Sequence, residues 1–337
     1  MPFRSDADPG PDLFVPPDPL ERFQALYAAL AANSSWLTDK IPLRLAAASL
    51  ITSPGDPALL VSATHRRDAE LRARLGWLTD IAPGLRVLLA AQMVKYGDDA
   101  NAFIDEAERV RVMFRAAHLR RDTAYEALAV LVLRRVLAGR PVEQAEVLRL
   151  RDIYEAMKRH HWFLTGPEDL PVCAMLVTHP GTPAEIGAGT DALYRALHKR
   201  ADLWRGDSLQ TAANLLYLTG VEPGVIVERY ATILAGFRET GTRIGEDEYD
   251  ELAILCFIAW PVEKIVATVS EFRDRLKTTF AGLSRTAALN LAASLAFTRL
   301  LPETEVGQAG PALARLADAK LLLDMQAIVA ARASTTA

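Results

Sequence analysis

Trp36-Leu37-Thr38-Asp39 and Trp77-Leu78-Thr79-Asp80 are the same four residues in the same order, and each is followed three positions on by a proline, Pro42 and Pro83. Looser echoes follow at His118-Leu119 with Asp122, at Trp162-Phe163-Leu164-Thr165-Gly166 and at Trp204 with Asp207. Weaker ones stand at Arg243-Ile244-Gly245-Glu246 and Gly282-Leu283-Ser284. Measured from positions 36, 77, 118, 162, 204, 243 and 282, the steps are 41, 41, 44, 42, 39 and 39. A constant period near forty is the length of one helical hairpin. Such a hairpin cannot bury its apolar face alone and must stack on its neighbours.

Within each unit the pattern is the same. A first helix carries small residues at its centre: Leu45-Ala46-Ala47-Ala48-Ser49-Leu50, Leu88-Leu89-Ala90-Ala91, Ala127-Leu128-Ala129-Val130-Leu131, Cys173-Ala174-Met175-Leu176, Ala212-Ala213-Asn214-Leu215-Leu216, Leu252-Ala253-Ile254-Leu255 and Leu291-Ala292-Ala293-Ser294-Leu295. Alanine there lets helix backbones come close, so these are the inner helices. A second, more charged helix follows, its start often marked by proline (Pro57, Pro141, Pro183, Pro223, Pro261, Pro302). Proline suits the first turn, where its missing N–H has no helical partner. Val147, Leu150, Ile153, Tyr154 and Met157 give one such helix an apolar stripe, and Arg149, Arg151, Asp152 and Glu155 lie on the rest, with Leu148 the apolar exception. The expected fold is all-α: an α-solenoid of HEAT or armadillo type, about seven hairpins of ~40 residues. A closed α/α toroid is the alternative, because periodicity does not distinguish a ring from an arc. The open arc is preferred because both ends resemble caps: a helix over 18–32, opened by Asp18-Pro19-Leu20-Glu21, and a last helix over 312–331. Residues 1–17 are expected to be a disordered Pro-rich lead-in, 18–331 a single repeat domain and 332–337 a frayed tail.

Composition narrows the function classes. Half of the 337 residues are hydrophobic, 7% are aromatic and the net charge is −4, which disfavours a general nucleic-acid magnet. Cys173 and Cys256 stand in separate apolar runs, without CxxC or zinc-ligand spacing, and read as buried thiols in a reducing compartment. The N-terminus has no apolar signal core. No apolar run approaches the ~18–20 residues that span a bilayer; the longest, over 124–137, is broken by Glu126 and Arg134. The expected location is cytoplasmic.

The most distinctive segment runs from Ile153-Tyr154-Glu155-Ala156-Met157-Lys158-Arg159-His160-His161 through Trp162-Phe163-Leu164-Thr165-Gly166 to Pro167-Glu168-Asp169-Leu170-Pro171. It resembles the central motif of an uncharacterised bacterial family, domain of unknown function 4003. The matching positions are Met157-Lys158, His161, Phe163-Leu164-Thr165 and Glu168-Asp169, followed by Cys173-Ala174-Met175-Leu176. Trp162, where a small residue or proline is expected, departs from the pattern. The resemblance implies an all-helical fold and brings no known activity.

Two constellations are candidates for function. The first is the corner His160–Asp169, where His161, Glu168 and Asp169 are candidates to move a proton and His160, His161 and His179 are candidate metal ligands. The competing explanation is structural. Thr165 and Glu168 have capping-box spacing, Asp169 suits the positive end of the helix dipole, and the histidines suit the negative end of the helix before. The second is a row of cations at the ends of the charged helices: Arg72 and Arg74, Arg115, Lys158 and Arg159, Lys199 and Arg200, Arg238, Arg275 and Lys277, joined by His118, Arg120 and Arg121. Stacking would line these into a ridge, and Arg115, Arg121, Lys158, Arg159, His160, Trp162, Lys199 and Arg200 are the candidate binding residues. The recurring tryptophans are expected to act as packing wedges between units. The acidic run 241–250 lacks calcium-loop spacing and reads as a solvated turn and helix start. No HExxH, GxSxG, GxGxxG or Walker pattern occurs, and no cofactor is expected. The leading expectation is a non-enzymatic repeat protein engaging an acidic or macromolecular partner through its concave or basic edge: a protein first, with an acidic peptide or a phosphate as candidates and nucleic acid disfavoured. A metal-dependent enzyme or small-molecule binder at the His160–Asp169 corner is the rival.

Overall fold

A computed structural model describes residues 14–32, 40–74, 81, 83–119, 122–160 and 166–300. Within them are fourteen α-helices and no strand. They are α1 (Pro19–Ala32), α2 (Lys40–Leu50), α3 (Pro57–Ala73), α4 (Pro83–Tyr96), α5 (Ala100–Ala116), α6 (Thr123–Val136) and α7 (Gln144–His160), then α8 (Leu170–Leu176), α9 (Pro183–Ala201), α10 (Asp207–Tyr217), α11 (Pro223–Glu239), α12 (Tyr249–Leu255), α13 (Val262–Thr279) and α14 (Arg285–Leu300). Single 3-10 turns, Pro167–Asp169 and Glu246–Glu248, lead into α8 and α12. Trp36–Asp39, Trp77–Asp80, His161, Trp162, Thr165, Arg120, Arg121 and the expected helix 312–331 lie outside the described residues.

The small-residue segments form the even-numbered helices, and their alanines are fully buried at Ala46, Ala90, Ala129, Ala174, Ala212, Ala253 and Ala292. α8 is buried along its whole length. Three of the prolines open helices as their position implied, Pro57, Pro183 and Pro223 for α3, α9 and α11; Pro261 immediately precedes α13, Pro141 lies three residues ahead of α7, and Pro302 lies outside the described residues. Asp56, Asp99 and Asp122 accept the first free backbone N–H groups of their helices. Thr182 and Glu185 close a reciprocal cap. Odd helices pack on odd helices from α1 to α13, and each odd helix packs on the even helix that follows it. Gly187 marks one close approach, because a Cβ there would lie 2.9 Å from the Ala156 backbone of α7.

Three arginines fasten the hairpins in the same way. Arg22 of α1 donates to the carbonyls of Ile51, Ser53 and Gly55 at 2.9, 2.6 and 2.9 Å. Arg149 of α7 donates to Val177, His179 and Gly181 at 2.7, 2.7 and 2.8 Å. Arg229 of α11 reaches Cys256, Ile258 and Trp260. Each time an odd helix supplies one guanidinium to three alternate carbonyls just past the next even helix. These groups lack helical partners and carry the negative end of the dipole. Arg149, read from sequence as surface charge, is therefore structural.

The expected free end at α1 is absent. α14 packs on α1 and α2 as well as on α12 and α13. Phe280, between α13 and α14, meets Phe23 and Tyr27 edge-on at ring distances of 5.7 and 5.6 Å. The Arg44 guanidinium lies over both the Tyr27 and Phe280 rings. Arg275 pairs with Asp18 at 2.6 Å, and Gln24 donates to Thr279 at 3.4 Å. Phe23, Leu26 and Leu30 are fully buried, so α1 has apolar neighbours where a cap would face water.

Candidate functional site

The His160–Asp169 corner is built from the end of α7 and the start of α8. Asp169 is buried. Its carboxylate accepts the Gly166 N–H at 3.1 Å and the Gln210 side-chain amide of α10 at 3.2 Å. The carboxylate that accepts the Gly166 N–H is Asp169; the capping pair expected of Thr165 and Glu168 rests on Thr165, which lies outside the described residues, and Glu168 is exposed. Burial is the main cause that pushes the Asp169 carboxyl up to about 7, opposed by the Gly166 N–H. The sign of the consequence is definite. Between the ordinary value near 3.8 and about 7 the folded chain holds a proton that the unfolded chain has lost, so stability falls as pH rises through that window and levels off above it. Asp169→Asn should remove this slope. Urea unfolding at pH 5 and 6.5 is expected to show a wild-type loss about 2 kcal/mol larger than that of the variant; parallel losses would rule Asp169 out as the source.

The histidines are not gathered around this carboxylate. His160 is exposed at the end of α7, with Nδ1 3.5 Å from the Asp191 carboxylate of α9. His179 lies beyond the far end of α8, whose seven residues span about 10 Å. Its ring packs on Tyr217, its Nδ1 meets the Pro180 carbonyl at 2.8 Å, and burial pushes its pKa down. Among the described residues, no group of three or more His, Cys, Asp and Glu is placed to hold a metal ion. Cys173 and Cys256 are both buried and unpaired.

The basic row divides into two sets. Some members cross-link neighbouring odd helices. Arg74 meets Asp105 at 2.6 Å, Arg200 meets Glu228 at 2.7 Å, and Arg275 meets Asp18. Arg74 and Arg200 lie eighteen positions past the capping residues Asp56 and Thr182, and their acidic partners lie six past Asp99 and Glu222. Thr279, eighteen past Pro261, bonds Gln24, six past Asp18. The α13-to-α1 junction therefore keeps the register of the α3–α5 and α9–α11 junctions.

The second set emerges at another register. Sixteen positions past the residue that precedes each odd helix from α3 to α13 (Asp56, Asp99, Glu143, Thr182, Glu222 and Pro261) stand Arg72, Arg115, Arg159, His198, Arg238 and Lys277. Arg72 pairs with Asp68, and His198 bonds the Leu203 carbonyl. Arg115, Arg159, Arg238 and Lys277 are exposed, and among the described residues none forms an ion pair. Of the other expected binding residues, Lys199 is exposed, Lys158 lies 6.0 Å from the Tyr154 ring, and Arg200 is neutralised by Glu228. Counting from helix caps separates Arg74 and Arg200 from the sixteen-position set, while Arg275, fourteen past Pro261, falls at neither register.

Two further expectations change. Trp204 is 74% exposed and is no wedge. The acidic run 241–250 is only partly solvated. Glu248 is fully buried, accepting from Thr286 at 2.8 Å and pairing with Arg285 at 2.9 Å, and Glu251 is buried beside Asp250.

No described helix is long and apolar enough to cross a membrane. A family model described as "Protein of unknown function (DUF4003)" matches residues 89–333. Among curated proteins, the uncharacterized protein YeaA of Bacillus subtilis (strain 168) is similar, 26% identical over 125 residues, or 35% of this chain; the chain spans 36% of that relative's length. No solved structure matches.

Proposed function

This chain belongs to DUF4003, a family of proteins of unknown function, and we propose its role from geometry: a closed α/α ring of helical hairpins that binds an acidic segment of a partner protein on one basic rim. Closure draws support from α14 packing on α1 and α2, and from a last-to-first junction in the register of the internal ones. The unpaired cations at one register carry the binding reading. Like positions in a ring of hairpins fall at one height, so Arg115, Arg159, Arg238 and Lys277 share an edge. A cation in the last turn of a helix is favoured by the dipole in any case, but the dipole does not require that acids be kept away from four of them. Elsewhere the fold supplies such acids readily, as at Asp105 and Glu228. The rival reading draws less support, because Asp169 already uses its oxygens on Gly166 and Gln210. The two unpaired thiols favour a reducing compartment.

The test replaces Arg115, Arg159, Arg238 and Lys277 together with glutamine, which keeps helix propensity and adds no repulsion. Binding of a fluorescein-labelled oligoglutamate at 50 mM salt is followed by anisotropy. Four exposed charge contacts, each contributing about 0.2–1 kcal/mol, predict a loss between about fourfold and several hundredfold, with little change in Tm. Equal affinity of variant and wild type would dispose of the rim as a binding surface.

A further inference from the structure

One junction of the proposed ring is held differently from the other six. Between successive hairpins the chain itself crosses, through residues 51–56, 97–99, 137–143, 177–182, 218–222 and 256–261. From α13 and α14 back to α1 and α2, side chains do the holding. The backbones also keep further apart there. Within the odd layer, a Cβ on Gly187 of α9 would meet Ala156 of α7 at 2.9 Å, and one on Gly236 of α11 would meet Val266 of α13 at 3.1 Å. Every successive pair of odd helices from α1 to α13 packs closely; the pair α13 and α1, among the described residues, does not. It meets through side chains: Arg275 pairs with Asp18, Gln24 donates to Thr279, and Phe280 meets Phe23 and Tyr27. The Arg275 and Asp18 side chains are 40% and 34% exposed, so water and salt weaken the pair. Asp18 has a second duty, since its carboxylate also accepts the Leu20 N–H at 2.8 Å in the first turn of α1. Segments with few close contacts and exposed bonds open before the rest of a fold.

We infer that the ring opens at this junction while its hairpins stay folded. α1 parts from the end of α13, Arg275 and Asp18 turn to water, and Phe23, Tyr27 and Phe280 become an aromatic edge that the closed ring hides. The other six junctions cannot part in this way, because a short loop ties their two sides together. This rests on the closed ring of the proposed function and adds the place at which it yields.

The test uses the full chain carrying Gln24→Cys and Thr279→Cys, bridged across the junction by a short bismaleimide. Cys173 and Cys256 are buried and their thiols are pushed up, Cys256 to about 12, so the reagent goes to the new pair. Hydrogen exchange is compared with the same variant left unbridged. The bridge is expected to slow exchange about tenfold or more in α1 and in the last turn of α13, and to leave α7 and α9 unchanged. In the chain without cysteines, Arg275→Gln should speed the same α1 and α13 amides by between about 1.4-fold and fivefold at 50 mM salt. A bridge that forms and changes no exchange, or slows it alike everywhere, overturns the opening while the ring stands. Arg275→Gln without effect on α1 overturns it too. Failure of the two cysteines to bridge within one chain overturns ring and opening together.

Discussion

Asp68→Ala is expected to destabilise the chain by about 3–5 kcal/mol, although Asp68 was not among the residues that the sequence singled out. Asp68 projects from α3 onto Arg86 of α4, with Arg86 Nε 2.6 Å from its carboxylate. The two side chains are only 10% and 11% exposed. Arg72 also reaches the same carboxylate but is 63% exposed, so it can turn to water when Asp68 is lost. Arg86 has no such escape, because it sits within a helix whose neighbours Leu85, Leu88 and Leu89 are buried. The loss is therefore the cost of an unpaired guanidinium in the interior, and is larger than the net worth of the pair. The double variant Asp68→Leu with Arg86→Met should recover most of the stability, since neither charge then remains. Urea unfolding of the three proteins decides it: a single variant within about 1 kcal/mol of wild type would mean that Arg86 finds other relief.

The contrast between Asp68 and the basic row explains what a sequence of this kind reveals. Helix hairpins, their small-residue centres and their proline starts are local, and the forty-residue period exposes them. Pairings are not local. Arg74 and Arg200 look like any cation at a helix end until Asp105 and Glu228 are placed opposite them, and this requires the cap-to-cap register between neighbours. The Arg22, Arg149 and Arg229 fasteners are hidden for the same reason, since each acts about thirty residues downstream on carbonyls that any sequence has. Asp169 was readable as a carboxylate at the positive end of a helix, but its bond to Gln210 depends on α10, 41 residues on. Trp204 misled because a recurring aromatic in a repeat is usually a wedge, and only burial tells a wedge from an exposed side chain.

Phe23→Ala is the second large effect, and it separates a ring from an arc. Phe23 is fully buried on α1 and touches the Phe280 ring edge-on at 5.7 Å. Truncating a buried phenylalanine costs about 3–5 kcal/mol through lost transfer energy and the cavity left behind. Where that loss is felt depends on topology. In a stack with two ends, each unit leans only on its neighbours, so damage to the first helix is confined to α1, α2 and α3. In a ring α1 is also the neighbour of the last helices, so the same substitution must loosen α13 and α14, more than two hundred residues away in the chain. Hydrogen exchange reads this directly. Amides of α13 and α14 are expected to lose protection in Phe23→Ala together with those of α1, while those of α7 and α8, opposite α1 in the proposed ring, change least. Protection that falls in α1 through α3 and stays whole in α13 and α14 would open the ring. The single height proposed for Arg115, Arg159, Arg238 and Lys277 would then have to be rebuilt on an arc.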